Sequence, residues 1–335
     1  MALRYEMGKT SVSLNDIETV SAKALIKHGA TDWIANEVAK AIRKAEATGN
    51  LICGLYYLES YCVQLLSGRV NGTVEPLVTR PKTAMVKSDA RFGFAQAAFT
   101  RALPEAIAVV EEAGTCSLAI CHSHTCTSLG YFTEQIAVAG LIGIGFTNAS
   151  AVVAPPGGNE AVIGTNPIAM SIPDKSGGVA FQFDQSTSAV ALGKITMAAA
   201  AGQSIPPDWA VDEKGEATTD PEAALKGSLI STGGYKGYGF GLMAEILAAA
   251  ITGSVNSLDV KGLKLPDGPP HDLGQFYFLL DPTAISGDAF WGRLKRMTDA
   301  INAQDNARLP GANRQLPDIV EVDSTLWELA QSLSV

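Results

Sequence analysis

The first fifty residues carry two apolar stripes at helical spacing. Ile17, Val20, Ala24 and Leu25 share one face behind Ser13 or Asn15 as a cap, and Gly29 closes that segment. Asp32 opens a second stripe through Ile34, Val38, Ala41 and Ile42 that runs toward Gly49. A third helical pattern covers 55–66 and stops at Ser67-Gly68. After Pro76 short apolar runs alternate with helical ones. Strands are predicted at 83–86, 117–121, 141–146, 161–163, 168–172, 179–184 and 276–280. Helices are predicted at 94–114, punctuated by Pro104, and at 134–139, 240–251, 290–301 and 319–333. This alternation predicts an α/β protein: a helical domain over 1–76, joined by 302–335, against an α/β domain over 77–301.

Composition narrows the functions open to such a fold. The 335 residues are 47% hydrophobic and 18% charged, which excludes a disordered chain. A net charge of −9 and a pI near 5.0 supply no basic surface for nucleic acid or an anionic membrane. No run approaches the ~20 apolar residues of a membrane span, and the opening residues show no apolar signal-peptide core. Five cysteines read as thiols of a reducing cytoplasm rather than as a disulfide framework. A small-molecule partner is the expectation.

Four local patterns bear on chemistry. The run Gly140-Leu-Ile-Gly143-Ile-Gly145-Phe-Thr-Asn148 lacks the third glycine and following helix of a dinucleotide fingerprint, so it reads as a glycine-bearing buried strand. Gly233-Gly234-Tyr-Lys236-Gly237 stands at a helix start, where free N–H groups and the Lys charge suit an anion or phosphate; a flexible loop capping a core helix is the plain alternative. Cys116, Cys121 and Cys126 with His122 and His124 lack zinc spacing, and a regular strand would point Cys121 and His122 to opposite faces, so no metal is expected. Asp184, at a strand end beside Gln185, Ser186 and Ser188, suits an active site or the cap of the next helix equally. No Gly-x-Ser-x-Gly elbow surrounds these serines, which argues against a serine hydrolase.

Taken in order, Thr147-Asn-Ala149, Gly157-Gly158, Gly164-Thr-Asn-Pro167, Asp184-Gln-Ser-Thr-Ser188, Gly193-Lys-Ile195, Ile205-Pro-Pro-Asp-Trp209-Ala-Val-Asp212, Thr218-Thr-Asp-Pro221 and Gly234-Tyr-Lys-Gly-Tyr238 make the chain resemble the type-2 malate/L-lactate dehydrogenase family. Its relatives include ureidoglycolate, sulfolactate and diketogulonate dehydrogenases and reductases of cyclic imino acids. The resemblance runs from the N-terminal helices to Leu309-Pro310-Gly311. It implies a non-Rossmann, nicotinamide-binding α/β fold and a homodimer with its active site near the subunit interface. NAD or NADP would meet Lys236 through its phosphates, with Thr147, Asn148, Asp184, Gln185, Ser186, Pro310 and Gly311 lining the rest of the site.

The departures fall on the substrate side. Family members carry Ser-His-Gly, with an Arg three residues after the Gly; here Ile52-Cys53-Gly54 occupies that motif and Tyr57 the Arg position. Cysteine, with an ordinary pKa near 8.5, is a poor stand-in for an acid poised near neutrality, and Tyr cannot form a charged bidentate clamp. The place of a second family His falls on His124 or Thr125, and His124 is the first choice for the replacement acid/base. The leading expectation is an NAD(P)-dependent oxidoreductase of a small 2-oxo/2-hydroxy acid that uses His124 and Asp184. The alternatives are a cyclic imino acid reductase (Δ1-pyrroline- or Δ1-piperideine-2-carboxylate type), a cofactor-binding protein that has lost catalysis, and a thiol enzyme using Cys53.

Overall fold

The computed structural model describes residues 8–312 and 316–335; residues 1–7, part of the segment read for a signal peptide, lie outside the described residues. Strand β1 (Lys9–Ser13) leads into α1 (Leu14–Lys27), whose start is fixed by the Ser13 hydroxyl accepting from the Asp16 N–H at 3.0 Å. Helix α2 (Asp32–Ala47) follows, then two 3₁₀ turns at Leu51–Cys53 and Leu55–Tyr57, then α3 (Leu58–Ser67), closed by left-handed Gly68. The third predicted helix therefore starts later than its apolar pattern. Gly54 separates two tight turns, each too short to become an α-helix.

The α/β part opens with β2 (Leu77–Lys82), which the sequence reading missed, and β3 (Met85–Asp89). Helix α4 (Ala95–Ala113) tolerates Pro104 in its interior and leads to β4 (Thr115–Ser123), α5 (Gly130–Val138), β5 (Ile142–Thr147), β6 (Ile168–Pro173) and β7 (Val179–Gln185). A small unit follows, made of α6 (Leu192–Ala201), β8 (Ala210–Val211), α7 (Pro221–Lys226) and β9 (Ser228–Leu229). Helix α8 (Tyr235–Glu245) runs into a π-turn at Ile246–Ala250, so it starts earlier and ends less regularly than the predicted 240–251 helix. The chain closes with β10 (Leu273–Leu280), α9 (Ala289–Asn302), β11 (Ile319–Asp323) and α10 (Ser324–Ser334).

Two predictions need correction. Residues 161–163 make only an isolated bridge from Ile163 to Val153, not a strand of the sheet. Residues 319–333 are not one helix: Ile319-Val-Glu-Val alternates like a strand and pairs antiparallel with β1, from Ser13↔Ile319 to Lys9↔Asp323. Asp323 then starts α10, its carboxylate accepting from the N–H groups of Thr325 and Leu326.

The main sheet has seven strands in the order β2-β3-β4-β10-β5-β6-β7. Only β3 and β4 run parallel, joined by the crossover helix α4, and every other neighbouring pair is antiparallel. One core lies between this sheet and α4 and α5, around Phe99, Leu118, Phe132 and Tyr277. Another joins α1, α2, α3 and α10 around Ile17, Leu25, Ile34, Tyr61 and Trp327. The glycine run 140–148 belongs to the first of these: a Cβ at Gly143 would stand 2.9 Å from Ile136, and one at Gly145 2.9 Å from Tyr277. These glycines admit helix and ring against the strand, as the buried-strand reading expects. Among the described residues no helix is long and apolar enough to cross a membrane.

Candidate active site

A cavity of about 390 Å³ opens where α2 faces the start of α5 and the end of β7. Lys44 and Asn50 line one side, and Ser128, Glu134, Gln182 and Asp184 the other. An ion pair of 2.5 Å between Lys44 and Glu134 bridges the two sides. Asp184 comes from the last turn of the β7 pleat. One carboxylate oxygen accepts from the Gly130 N–H at 2.8 Å and from the Ser128 hydroxyl at 3.0 Å. The carboxylate thus sits on the N-terminus of α5, where free N–H groups and the helix dipole favour a negative charge. Asp184 does not cap the next helix, α6, which starts at Leu192 with no side-chain cap; it bonds the start of the earlier helix α5 and lines the cavity. Burial among protein atoms raises its pKa, and the bonds to Gly130, Ser128 and Leu129 oppose that rise.

Cys53 ends the first 3₁₀ turn close enough to Asp184 to feel its charge. Burial first, and Asp184 second, push the thiol up to about 12, against a smaller opposing bond with Asn50. Cys53 therefore stays a neutral thiol, neither a thiolate nucleophile nor an acid poised near pH 7. The Gly54 beside it leaves room for Glu46: a Cβ there would stand 2.0 Å from Oε1 of buried Glu46, whose carboxylate accepts from the Leu55 N–H at 2.7 Å. Tyr57 stacks on Tyr61 at 5.9 Å, and burial raises its phenol to about 12. A cation stands beside this pair: Lys264 Nζ lies 3.2 Å from the Tyr56 ring centre and 5.3 Å from that of Tyr57.

The segment carrying Lys264 is firmly held. Gln64 donates to the carbonyls of Leu263 and Leu265, each at 2.8 Å, and buried Arg69 donates to Leu265 at 2.6 Å and to Pro269 at 3.0 Å. The sequence reading missed Lys44, Glu46, Ser128, Glu134, Gln182 and Lys264. Nothing in local spacing marks residues that converge only through the packing of helix, sheet and loop.

His124 follows β4 directly but is not a loop residue open to solvent. It is 1% exposed, stacked on His271 at 3.9 Å and edge-on to Phe94 and Tyr61. Among the described residues neither ring nitrogen has a hydrogen-bond partner, and no bond joins His124 to Asp184. His124 and Asp184 are thus not in direct contact by a hydrogen bond among the described residues, and one oxygen of the carboxylate faces the α5 terminus. Burial, His271 and Arg69 hold His124 well below the usual histidine range, and burial and Arg69 bring His271 to about 3. Thr125, the other candidate for that place, is also buried.

On the expected cofactor side the residues divide. Thr147 and Asn148 turn inward: Thr147 donates to the Gly274 carbonyl at 2.9 Å, while Asn148 donates to Val255 at 2.9 Å and accepts from Gly274. They brace β5 against β10 and the 255 segment. Gln185 ends β7, and Ser186 turns back toward Ser188. Pro310 and Gly311 cross β7 beside Asp184: Gln182 N–H donates to the Pro310 carbonyl at 3.0 Å, and left-handed Gly311 leaves no room for a Cβ, which would meet Gln182 O at 2.6 Å. At the start of α8, Gly233 and Gly234 have φ of 64° and 65° and open space where a Cβ would be. Gly234 caps the helix with no side-chain bond, Lys236 is exposed, and the buried Ser231 hydroxyl nearby has no partner among the described residues. Free N–H groups, a cation and an unpaired hydroxyl fit the phosphates of a dinucleotide.

A small polar cavity around a strand-end carboxylate, with a separate glycine-lined cationic helix start, defines a protein that brings a phosphate-bearing cofactor to a small substrate. The chain belongs to the malate/L-lactate dehydrogenase family, whose model matches residues 12–317, and it is an NAD(P)-dependent oxidoreductase. It is 35% identical to the (2R)-3-sulfolactate dehydrogenase (NADP(+)) of Chromohalobacter salexigens, over 90% of each chain. It is also 35% identical to a Δ1-pyrroline-2-carboxylate reductase of Burkholderia multivorans, over 90% of this chain and 89% of that one. The solved Δ1-piperideine-2-carboxylate reductase of Pseudomonas syringae superposes with a TM-score of 0.89 at 30% identity, covering 97% of this chain and 99% of the other.

Proposed function

We propose that the protein reduces a cyclic imino acid, with NADH or NADPH as hydride source. The observation that carries this reading is that, among the described residues, neither Cys53 and Tyr57, which take the places of the family's acid and Arg, nor His124 is poised to donate a proton near neutrality, while Lys44 in the cavity wall is engaged by Glu134. The Cys53 thiol and Tyr57 phenol are pushed to about 12, and His124 is held as a neutral imidazole. Reduction of a carbonyl needs hydride at carbon and a proton at oxygen, and losing the acid removes about 10²- to 10⁴-fold in rate. A protonated cyclic imine carries its proton already: hydride adds to the C=N carbon, the C=N π pair becomes the nitrogen lone pair, and the product is a neutral cyclic amine. When bound, the nicotinamide supplies that hydride. The Asp184 carboxylate offers the negative charge that an iminium needs beside it. Lys264, held above Tyr56 and Tyr57, takes the place of the missing Arg as partner of the substrate carboxylate. The relatives named as pyrroline- and piperideine-carboxylate reductases support the same reading.

Several further assignments belong to this proposal. Lys236 and the N-terminus of α8 hold the cofactor phosphates, and Gln185, Ser186, Pro310 and Gly311 border the cofactor beside Asp184. Residues 1–76 with 302–335 act as one domain and 77–301 as the other. A second copy of the chain covers α9, a helix that carries Phe290, Trp291, Leu294 and Ile301 yet buries no residue, together with the exposed apolar face of Tyr235, Phe240 and Ile246 on α8 and its π-turn. The five unpaired cysteines suit the cytoplasm.

The test is oxidation of NADH and NADPH with cyclic imino acids and open-chain 2-oxo acids side by side, in the wild type and in His124→Ala. Turnover confined to imines and largely retained in the variant is the expected result. Fast turnover of a 2-oxo acid that collapses in His124→Ala would restore the carbonyl reading, with His124 as the acid.

A further inference from the structure

Away from the cavity, three potential ligands meet at the carboxyl ends of β3 and β4. Asp89 and Cys121 are direct partners in the parallel register of these strands, so their side chains share one face. A regular strand would turn His122 to the other face. It does not, because His122 has a left-handed backbone with φ of 51°. One ligand atom from each of Asp89, Cys121 and His122 lies within 4.8 Å of the other two.

The surroundings add a second arrangement. His122 Nδ1 is 2.8 Å from Asp272 Oδ1, and Asp272 also has a left-handed φ, of 50°, where the β4–β10 register slips beside it. The His122 N–H donates to the Ser254 hydroxyl at 2.9 Å. Two non-glycine residues thus hold an uncommon conformation so that a carboxylate can grip an imidazole. A carboxylate–histidine pair of this kind orients a metal-binding ring and raises its basicity through the opposite nitrogen.

We propose that Asp89, Cys121 and His122 bind a single divalent transition-metal ion, zinc by the character of the ligands. A set of one oxygen, one sulfur and one nitrogen suits zinc and its neighbours, and is wrong for magnesium or calcium, which take oxygen throughout. Zinc–sulfur and zinc–nitrogen bonds of about 2.3 and 2.0 Å put tetrahedral ligand atoms roughly 3.5 Å apart, so side-chain shifts of about an ångström close the site. Water takes the fourth position. Lys87, bonded to the Cys121 thiol, is the competing cation. An ion displaces both the Lys87 contact and the thiol proton. The role is structural. The ion ties together the strand ends from which Ser123, His124 and Thr125 lead toward the candidate active site.

The probe is cobalt, added to the full chain after dialysis against a chelator, because a cobalt–thiolate bond gives a near-ultraviolet charge-transfer band. The expected result is a band that saturates at one cobalt per chain, is displaced by zinc, and is lost in Cys121→Ser but kept in Cys116→Ser, whose thiol points to the other face of β4. Asp272→Asn should weaken binding by about 10- to 100-fold. If Cys121→Ser does not fold, His122→Ala serves in its place and should lose high-affinity binding. No band in excess cobalt, a band that survives Cys121→Ser, or unchanged affinity in His122→Ala would each overturn the site.

Discussion

Replacing His124 by Phe separates its structural role from a catalytic one. The ring lies between His271, Phe94 and Tyr61, and neither nitrogen has a partner among the described residues, so a phenyl ring keeps the aromatic contacts and gives up none of the hydrogen bonds described. The magnitude follows from linkage. Both His124 and His271 fall from the ordinary 6.5, His124 well below it and His271 to about 3. A folded-state pKa depressed in this way gives stability that is complete above the unfolded value and is lost as pH falls from there toward the folded pKa. Below about pH 6 each such histidine lets the unfolded chain take up one more proton, costing about 1.4 kcal/mol per pH unit. The pair costs about 2.7 kcal/mol per unit, on top of a contribution from carboxylates common to both proteins. Urea denaturation from pH 7 to pH 4.5 measures it: His124→Phe should lose stability more slowly by one proton, about 1.4 kcal/mol per unit less than the wild type. Imine turnover at pH 7 should stay within a few-fold. Parallel stability profiles would refute the buried neutral histidine, and collapse of imine turnover would return His124 to catalysis.

Three other substitutions test other parts of the site. Lys236→Ala should weaken NADH or NADPH binding by about 10- to 100-fold, the worth of a charge-assisted phosphate contact, read by fluorescence titration; unchanged binding would remove the helix start from the cofactor site. Lys264→Ala should raise KM for a carboxylate-bearing imine by about tenfold with a smaller change in kcat, because the contact holds substrate and transition state alike. Steady-state kinetics decides it, and an unchanged KM would leave the substrate carboxylate to another cation. Gly54→Ala forces a methyl group to within 2.0 Å of Glu46 Oε1 and breaks its bond to Leu55, which should cost about 1–3 kcal/mol and lower Tm by a few degrees.

The sequence made the elements more legible than the places where they meet. Helices α1 and α2 follow from apolar spacing and their starting residues, and β5, β6 and β7 from short apolar runs. β11 was hidden because Ile319–Asp323 precedes a helix without a break, and its strand partner, β1, lies some three hundred residues earlier, beyond any local pattern. The left-handed turn at His122 was hidden for a related reason. It is imposed by Asp272 and Ser254, which are distant in sequence, and it reverses the alternation used to argue against a metal. The glycines and lysine at the start of α8 were readable as a helix start, which the structure places at Tyr235 behind Gly233 and Gly234. The carboxylate, the thiol and the stacked tyrosines were readable only as positions, since their titration depends on burial that no spacing records.

That dependence bears on how a reductase can lose its histidine acid. A cysteine in its place has an ordinary pKa only about two units above that of histidine, and in water it would serve as a weak acid. Here burial raises it most, and Asp184 adds to the rise: the carboxylate that would steady an imidazolium helps push the thiol to about 12. Histidine and cysteine are therefore opposites beside this carboxylate, one made a better proton carrier and the other a worse one. Keeping Asp184 while exchanging the acid does not tune a carbonyl reductase. It leaves the Asp184 charge in a cavity whose one lining lysine among the described residues, Lys44, is already paired with Glu134, which favours a substrate that is positive where the hydride arrives.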